Sequence, residues 1–322
     1  MPLRQAAAAA GIVAGYAADA WFGDPRRGHP VAAFGTAAGQ LERWWWADSK
    51  PRGAAYAAVC AGSVAGLGFL AERAVRDRPG ARFVLTAAAT WVVLGGRGLA
   101  AEGHEMARLL ESGELPAARQ RLSHLCARDA TGLDAAELTR AATESIAENT
   151  SDAVVAPLLW GAVAGVPGLL GYRAVNTLDA MVGYRSPRHR NFGWFAARVD
   201  DWVNLVPARV GAVLTAVTAP LAGGHARSAW RAWRRDGSAH PSPNAGQVEA
   251  AFAGALDIRL GGTNTYHGEV ERRGTLGDGR PPGARDLRRA VRLSRLVGAA
   301  AVAVSAGIAM SGLRSARITV AR

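Results

Sequence analysis

The residues best suited to chemistry stand in the stretch ESIAENTSDAVVAPLLW, residues 144–160, which carries Glu144, Glu148 and Asp152. Spaced i, i+4, i+8, the three carboxylates fall on one face of a helix, with Asn149 beside them. Like charges one turn apart repel, so the row is unfavourable unless something answers it. Two answers are open. Nearby arginines neutralise the row, or it holds a magnesium ion with a phosphorylated ligand, because Mg2+ commonly takes one or two carboxylates together with phosphate oxygens. The tripeptide Asn149-Thr150-Ser151 also matches a glycosylation sequon, a pattern too short to carry weight.

A second concentration of polar residues lies in YRAVNTLDAMVGYRSPRHRNFGWFAARVDDWVNLVPAR, residues 172–209. It holds Arg173, Asn176, Asp179, Arg185, Arg188, His189, Arg190, Arg198, Asp200, Asp201, Asn204 and Arg209. The arginines could grip phosphate or carboxylate groups, and Asp200 with Asn204 at i, i+4 could share a metal. The plainer alternative is a salt-bridged connection between two membrane helices. A third stretch, HPSPNAGQVEAAFAGALDIRLGGTNTYHGE, sets a proline-rich turn and Asn244 before an alanine-rich helix, then Gly261, Gly262, Asn264 and Tyr266. Glycine pairs of this kind bring backbone amides close to anions. The chain has no GxxxxGK[ST] phosphate loop, so any ATP is held in another way. His29 in GDPRRGHPV could be a base or a ligand, although a lone histidine before proline is more often a turn residue, and RRGTLGDGRPPGARD reads as a loop.

The elements that must position these residues are apolar. Six stretches run almost free of charge for about the length that crosses a bilayer, roughly 17 to 25 residues. They cover about 5–22, 53–71, 81–100, 153–171, 203–222 and 296–313, and five or six of them are expected to span. They are rich in small residues, which permit close helix packing in lipid. A soluble all-helical protein with alanine-rich buried helices is the competing reading. Trp44, Trp45 and Trp46, and Trp230 and Trp233 among the arginines of ARSAWRAWRRDG, count against it as interfacial anchors. Asp19 and Trp21 spoil a small-residue cleavage site, so the first segment is expected to stay in the mature protein. The fold class expected is therefore all-α: one multi-pass membrane-embedded domain of 322 residues, with helical loops between the apolar segments.

Charge and cysteine usage narrow the function little. The 38 basic residues, nearly all arginine, exceed the 26 acidic ones and give a net charge of +12. That raises a nucleic-acid partner for consideration, but an arginine- and alanine-rich composition also follows from genome base content. Cys60 and Cys126 have no metal-ligand spacing and read as small apolar fillers.

Taken in order, GDPRRGHPVAAFG, GGRGLA, ARDATGL, ESIAENTSD, the 172–209 stretch and SPNAGQVEAAFAGALDIRLGGTNTYHGE resemble the adenosylcobinamide-phosphate synthases, the CobD/CbiB family of cobalamin biosynthesis. The resemblance runs from about residue 11 to 313. Gly98 stands where that family commonly has serine, and Thr263 and Thr265 vary a Gly-Gly-Pro-Asn-Asn-Tyr type of block. The resemblance implies an ATP-dependent carbon–nitrogen ligase of the cell membrane with corrinoid and aminopropanol substrates and no nucleic acid. It would join (R)-1-aminopropan-2-ol, or its O-phosphate, to the propionate carboxylate of adenosylcobyric acid. A carboxylate does not react with an amine at neutral pH, so ATP with Mg2+ would activate it as an acyl phosphate. On that basis Glu144, Glu148, Asp152 and Asp179 are expected as metal ligands, and Glu148, Asp200 and Asp201 as catalytic groups. Arg173, Arg185 and Arg198 would hold phosphate or propionate, while Asn149, Asn176, Asn204, Asn244 and Asn264 would orient polar groups. Other enzymes of the pathway are conceivable partners by analogy. A membrane alcohol phosphotransferase and a non-enzymatic corrinoid transporter are the competing functions.

Topology sets one further expectation. If both 153–171 and 203–222 crossed the bilayer, residues 172–202 would face away from 101–152 and 223–294. Pro157, Pro167, Gly161, Gly165 and Gly168 point instead to a broken or re-entrant segment, permitted where protein or water covers the backbone. The arginine excess of 172–202 favours the cytoplasmic side, and the polar regions are expected to converge on one cytoplasmic cavity.

Overall fold

The computed structural model describes residues 2–25, 28–184, 186–266 and 269–311, with the side chains of 263–272 outside the description. The chain is almost wholly helical and divides into two compact units, Met1–Gly95 with Ala156–Asn204 and Ala301–Arg322, and Gly96–Val155 with Leu205–Ala300. Among the described residues five helical stretches are long and apolar enough to cross a membrane: Lys50–Ala74, Pro79–Glu111, Ala135–Val182, Trp194–Ala222 and Ala284–Met310. The first expected segment is a helix as well, but it is not one of these five.

The first unit contains α1 (Pro2–Phe22), α2 (Pro30–Trp45), α3 (Lys50–Ala74) and α4 (Pro79–Val93). Small residues set its packing. A Cβ on Gly11 would lie 2.7 Å from Thr86 Cβ and one on Gly15 2.4 Å from Thr90 Cβ, so α1 and α4 approach closely only because both positions are glycine. His29 caps α2, its Nδ1 accepting the Val31 N–H at 3.2 Å, which is the turn role rather than the chemical one. Of the tryptophan cluster, Trp44 stands 86% exposed, whereas Trp46 turns back to donate to the Arg188 carbonyl at 3.0 Å. Tyr56, Phe192, Leu178 and Val182 fill the core beside Cys60.

The second unit contains α5 (Gly96–Glu111), α6 (Leu115–Leu122) and α7 (Ala135–Thr150) in its first part. Immediately after α7 the chain winds as a π-helix over Ser151–Val155, before α8 (Ala156–Val182) begins. A wider i→i+5 turn here precedes Pro157, whose ring removes an amide donor and would crowd a regular turn. α9 (Trp194–Thr218) leads through a 3-10 turn, Ala219–Ala222, into α10 (Ala226–Asp236) and α11 (Ala245–Leu256). Every residue of α11 is buried, as its alanine-rich, nearly uniformly apolar sequence demands. An antiparallel hairpin, β1 (Leu260–Tyr266) and β2 (Glu269–Leu276), precedes α12 (Ala284–Met310). The loop expected at RRGTLGDGRPPGARD is thus corrected in its first part, because Arg272–Leu276 pair with β1.

Helix α8 is broken, and the break is at Gly165. Its backbone there has φ 76° and ψ −152°, a conformation reserved for glycine. A Cβ on Gly161 would lie 2.7 Å from the Leu169 side chain, and one on Gly168 2.3 Å from the Trp160 carbonyl. Residues eight apart on a straight helix are about 12 Å apart, so the two halves fold back on each other as a tight hairpin. The second half starts at Val166, whose N–H donates to the Glu72 carboxylate at 3.1 Å, and Pro167 sits in its first turn, where a missing donor costs nothing. Arg82 holds the other Glu72 oxygen at 2.5 Å.

Candidate functional site

In the second unit, α7 is started by a capping box. The Asp134 carboxylate accepts the Glu137 N–H at 2.8 Å, and the Glu137 carboxylate accepts the Asp134 N–H at 3.0 Å. From Leu138 to Ala147 the helix is almost wholly buried, which carries Glu144 inward to 2% exposure. There Arg128 donates to its Oε2 at 2.5 Å, the Gly261 N–H donates to its Oε1 at 2.8 Å, and Arg140 stands 3.7 Å away. Arginines therefore answer this end of the carboxylate row. The glycine pair also meets an anion, and it is one from its own chain; Gly261 and Gly262 hold φ 79° and 93°, which side-chain-bearing residues rarely adopt.

Glu148 lies one turn further along α7 and is half-buried. Asn149 donates from Nδ2 to the Ser145 carbonyl at 2.9 Å, and Asp152 stands in the π-helix. Across from this row α11 contributes Glu249. Its side chain is fully buried and neither oxygen has a hydrogen-bond partner among the described residues; His240 Nε2 stands 3.9 Å from Oε1. His240 Nδ1 accepts the Ser242 N–H at 2.9 Å, so the neutral ring carries its proton on Nε2. Burial first, and then the charges of Glu144 and Glu148, push the Glu249 carboxyl well above the usual carboxylate range, against the opposing pull of Arg273 and Arg128. Asn244 occupies the position before α11 and is 7% exposed, but Ser242 Oγ is what accepts the Ala245 N–H, at 3.2 Å.

In the first unit the 172–204 residues form a second polar chain. The Tyr172 hydroxyl donates to Asn204 Oδ1 at 2.9 Å, and Asn204 Nδ2 donates to Asp200 Oδ2 at 3.0 Å. Asn176 Nδ2 reaches Asp200 Oδ1 at 3.4 Å, and Arg173 reaches Asn176 Oδ1 at 3.4 Å. The amide oxygen that Asn204 would offer a metal thus already accepts one hydrogen bond, from Tyr172. Asp179 and Asp201 are half-buried, and Arg198 is exposed. Arg188 and His189 both bind the Glu42 carboxylate, at 3.1 and 3.0 Å, so this part of the stretch is the salt-bridged connection that the sequence left open. Arg185 and the Asn264 side chain lie outside the described residues.

Among the described residues no group of three or more His, Cys, Asp or Glu is placed to hold a metal ion by itself. Glu144, Glu148 and Asp152 belong to one unit and Asp179 to the other. Sequence reasoning passed over two residues of the α7 cluster, Arg128 and Glu249. Glu249 had a readable signal: it is the lone carboxylate in the otherwise apolar run AGQVEAAFAGAL. Arg128 stands in the motif ARDATGL, but no spacing within the sequence tied it to Glu144.

A family model described as "CobD/Cbib protein" matches residues 12–294. The chain is 55% identical over 300 residues to the "Cobalamin biosynthesis protein CobD" of Mycobacterium tuberculosis, covering 92% of this chain and 95% of that one. It is 44% identical over 281 residues to the protein of that name from Geobacter metallireducens, covering 85% and 88%. No solved structure matches it. With the match running through both polar clusters and most of the helical frame, this chain belongs to the CobD/CbiB family.

Proposed function

We propose that this protein makes an amide bond in cobalamin biosynthesis, the process named in its relatives. The bond joins (R)-1-aminopropan-2-ol, or its O-phosphate, to the propionate carboxylate of adenosylcobyric acid, giving adenosylcobinamide or its phosphate. The observation that supports chemistry here is the asymmetry of the carboxyl cluster. Glu144 is satisfied by cations and a backbone amide, whereas Glu249 is buried with neither oxygen hydrogen-bonded among the described residues. An unpartnered buried carboxyl is costly and is kept where it serves a ligand or a proton transfer.

In this reading Mg2+ and ATP would be held at this cluster in one way. A nucleotide-bound Mg2+ needs one or two carboxylates rather than a complete protein cage, and Glu148 and Asp152 supply two next to the satisfied Glu144. When bound, Mg2+ with ATP would supply the phosphoryl group that turns the propionate into an acyl phosphate. One carboxylate, either Glu148 of the second unit or Asp200 or Asp201 of the first, would then take the proton that the attacking ammonium group must lose. In the first unit Arg173 and Arg198 would hold anionic groups and Asn176 and Asn204 would orient polar ones; in the second unit Asn149 and Asn244 would do the orienting. Membranes carrying the protein, incubated with adenosylcobyric acid, aminopropanol phosphate and Mg2+–ATP, should add the mass of the amino alcohol phosphate to the corrinoid. A corrinoid that is moved but unchanged would leave a transporter, and transfer of a phosphoalcohol without amide formation would leave a phosphotransferase.

A further inference from the structure

Helix α10, ARSAWRAWRRD, buries Ala229 and Ala232 and faces outward with Arg227, Trp230, Arg231 and Arg234. Trp233 belongs to the inner side, donating from Nε1 to Gln247 at 2.9 Å, so Trp230, 48% exposed, is the outward tryptophan of the pair. Between α10 and the end of α9 lies a groove of about 680 Å³. Val213, Ala216 and Val217 form one wall; Ala226 and Trp230 form the other, with Arg227 and Arg231 at its edge. That size lies within the roughly 300 to 1,000 Å³ of small-ligand sites.

Two properties of this groove specify its occupant. It opens beside the outer surface of an apolar stretch fit to cross a membrane, where Val206, Val217 and Leu221 are all exposed. Its charged edge is only weakly answered from within the chain: Arg231 reaches the Ser228 hydroxyl at 3.4 Å and feels Asp278 at longer range, and neither Arg227 nor Arg231 forms an ion pair among the described residues. The neighbouring Arg235 is different, being held by Asp236 and Asp278 at 2.7 and 2.9 Å. Arg227 and Arg231 are one turn apart, on the same face as Trp230. An apolar trough ending at two guanidinium groups matches an amphiphile with a hydrocarbon chain and a phosphate head carrying net negative charge.

We propose that this groove binds one anionic phospholipid, with an acyl chain along Val213, Val217 and Trp230 and the phosphate held by Arg227 and Arg231. A soluble phosphate would use only the arginines, and a zwitterionic lipid would satisfy the trough but only part of the charge. The inference is independent of the reaction assigned above.

The test uses the full-length protein, delipidated in detergent and titrated with phosphatidylglycerol or phosphatidylcholine, with bound lipid counted by native mass spectrometry. One phosphatidylglycerol should be retained in preference to phosphatidylcholine, each arginine contributing about fivefold. Arg227→Gln with Arg231→Gln should reduce phosphatidylglycerol retention to the phosphatidylcholine level, and Val217→Trp should weaken both lipids by filling the trough. Excess glycerol phosphate should leave the lipid bound. Equal retention of the two lipids, an unchanged result in either variant, or displacement by glycerol phosphate would overturn the proposal. Both variants alter exposed side chains, and an unchanged thermal midpoint in detergent establishes that they are folded.

Discussion

Arg128 and Glu144 are buried at both ends of their ion pair, with side-chain exposures of 3% and 2%. Removing one member of such a pair strands a charge out of water, which costs about 3 to 5 kcal/mol. Arg128→Met should therefore lower stability by about 3 kcal/mol, near the bottom of that range because Arg140 remains 3.7 Å from Glu144, as read by thermal or denaturant unfolding in detergent. Glu148 behaves differently under the proposed function: Glu148→Gln should abolish amide formation while leaving the protein folded in the membrane. An active variant removes Glu148 from the site. Glu249 gives a pH signature with a definite sign. Its folded carboxyl holds a proton above the ordinary value of 4.5, so between that value and its raised one the native state binds more protons than the unfolded chain. Stability from this residue is full below pH 4.5 and falls as pH rises through the window. Glu249→Gln should flatten that fall in the unfolding midpoint, and an unchanged slope would show that Glu249 is ionised in the native state.

Among the elements, the break in α8 offers the sharpest expectation. Gly165 combines a glycine-only backbone conformation with a close approach, since an added Cβ would lie 2.3 Å from Glu72 Oε2. Gly165→Ala should cost at least about 2 kcal/mol, from backbone strain plus displacement of the carboxylate that caps Val166. A melting temperature in detergent equal to wild type would contradict the hairpin. The glycines and prolines of 153–171 announced an interruption without locating it. Pro157 and Pro167 both sit where a proline is tolerated, one next to the π-helix and one in a first helical turn, so neither is the hinge. The hinge is the glycine whose sign of φ no local sequence pattern reveals.

For the molecule as a whole, sidedness is the test. The proposed reaction uses ATP, and so requires residues 172–202 to reach the cytoplasm. A Ser186→Cys variant in a background lacking Cys60 and Cys126 should resist a membrane-impermeant thiol reagent on intact cells and react after permeabilisation. Labelling from outside would separate this stretch from the nucleotide and sink its assignment to the active site.

The amino-acid sequence by itself determined the helical class, the apolar spans, the interruption between residues 153 and 171, and the family, because all of these are written in composition, periodicity and contiguous motifs. It also presented the carboxylate row of α7 with its two possible answers. Only the tertiary structure decided between them at Glu144, by bringing Arg128 and Gly261 from 16 and 117 residues away to within hydrogen-bond distance. The same folding placed Glu249, a single acidic letter in an alanine-rich helix, near that row without a hydrogen-bond partner among the described residues. Periodicity reports which side of a helix is apolar, whereas the neighbour that satisfies or strands a buried charge is a property of long-range packing.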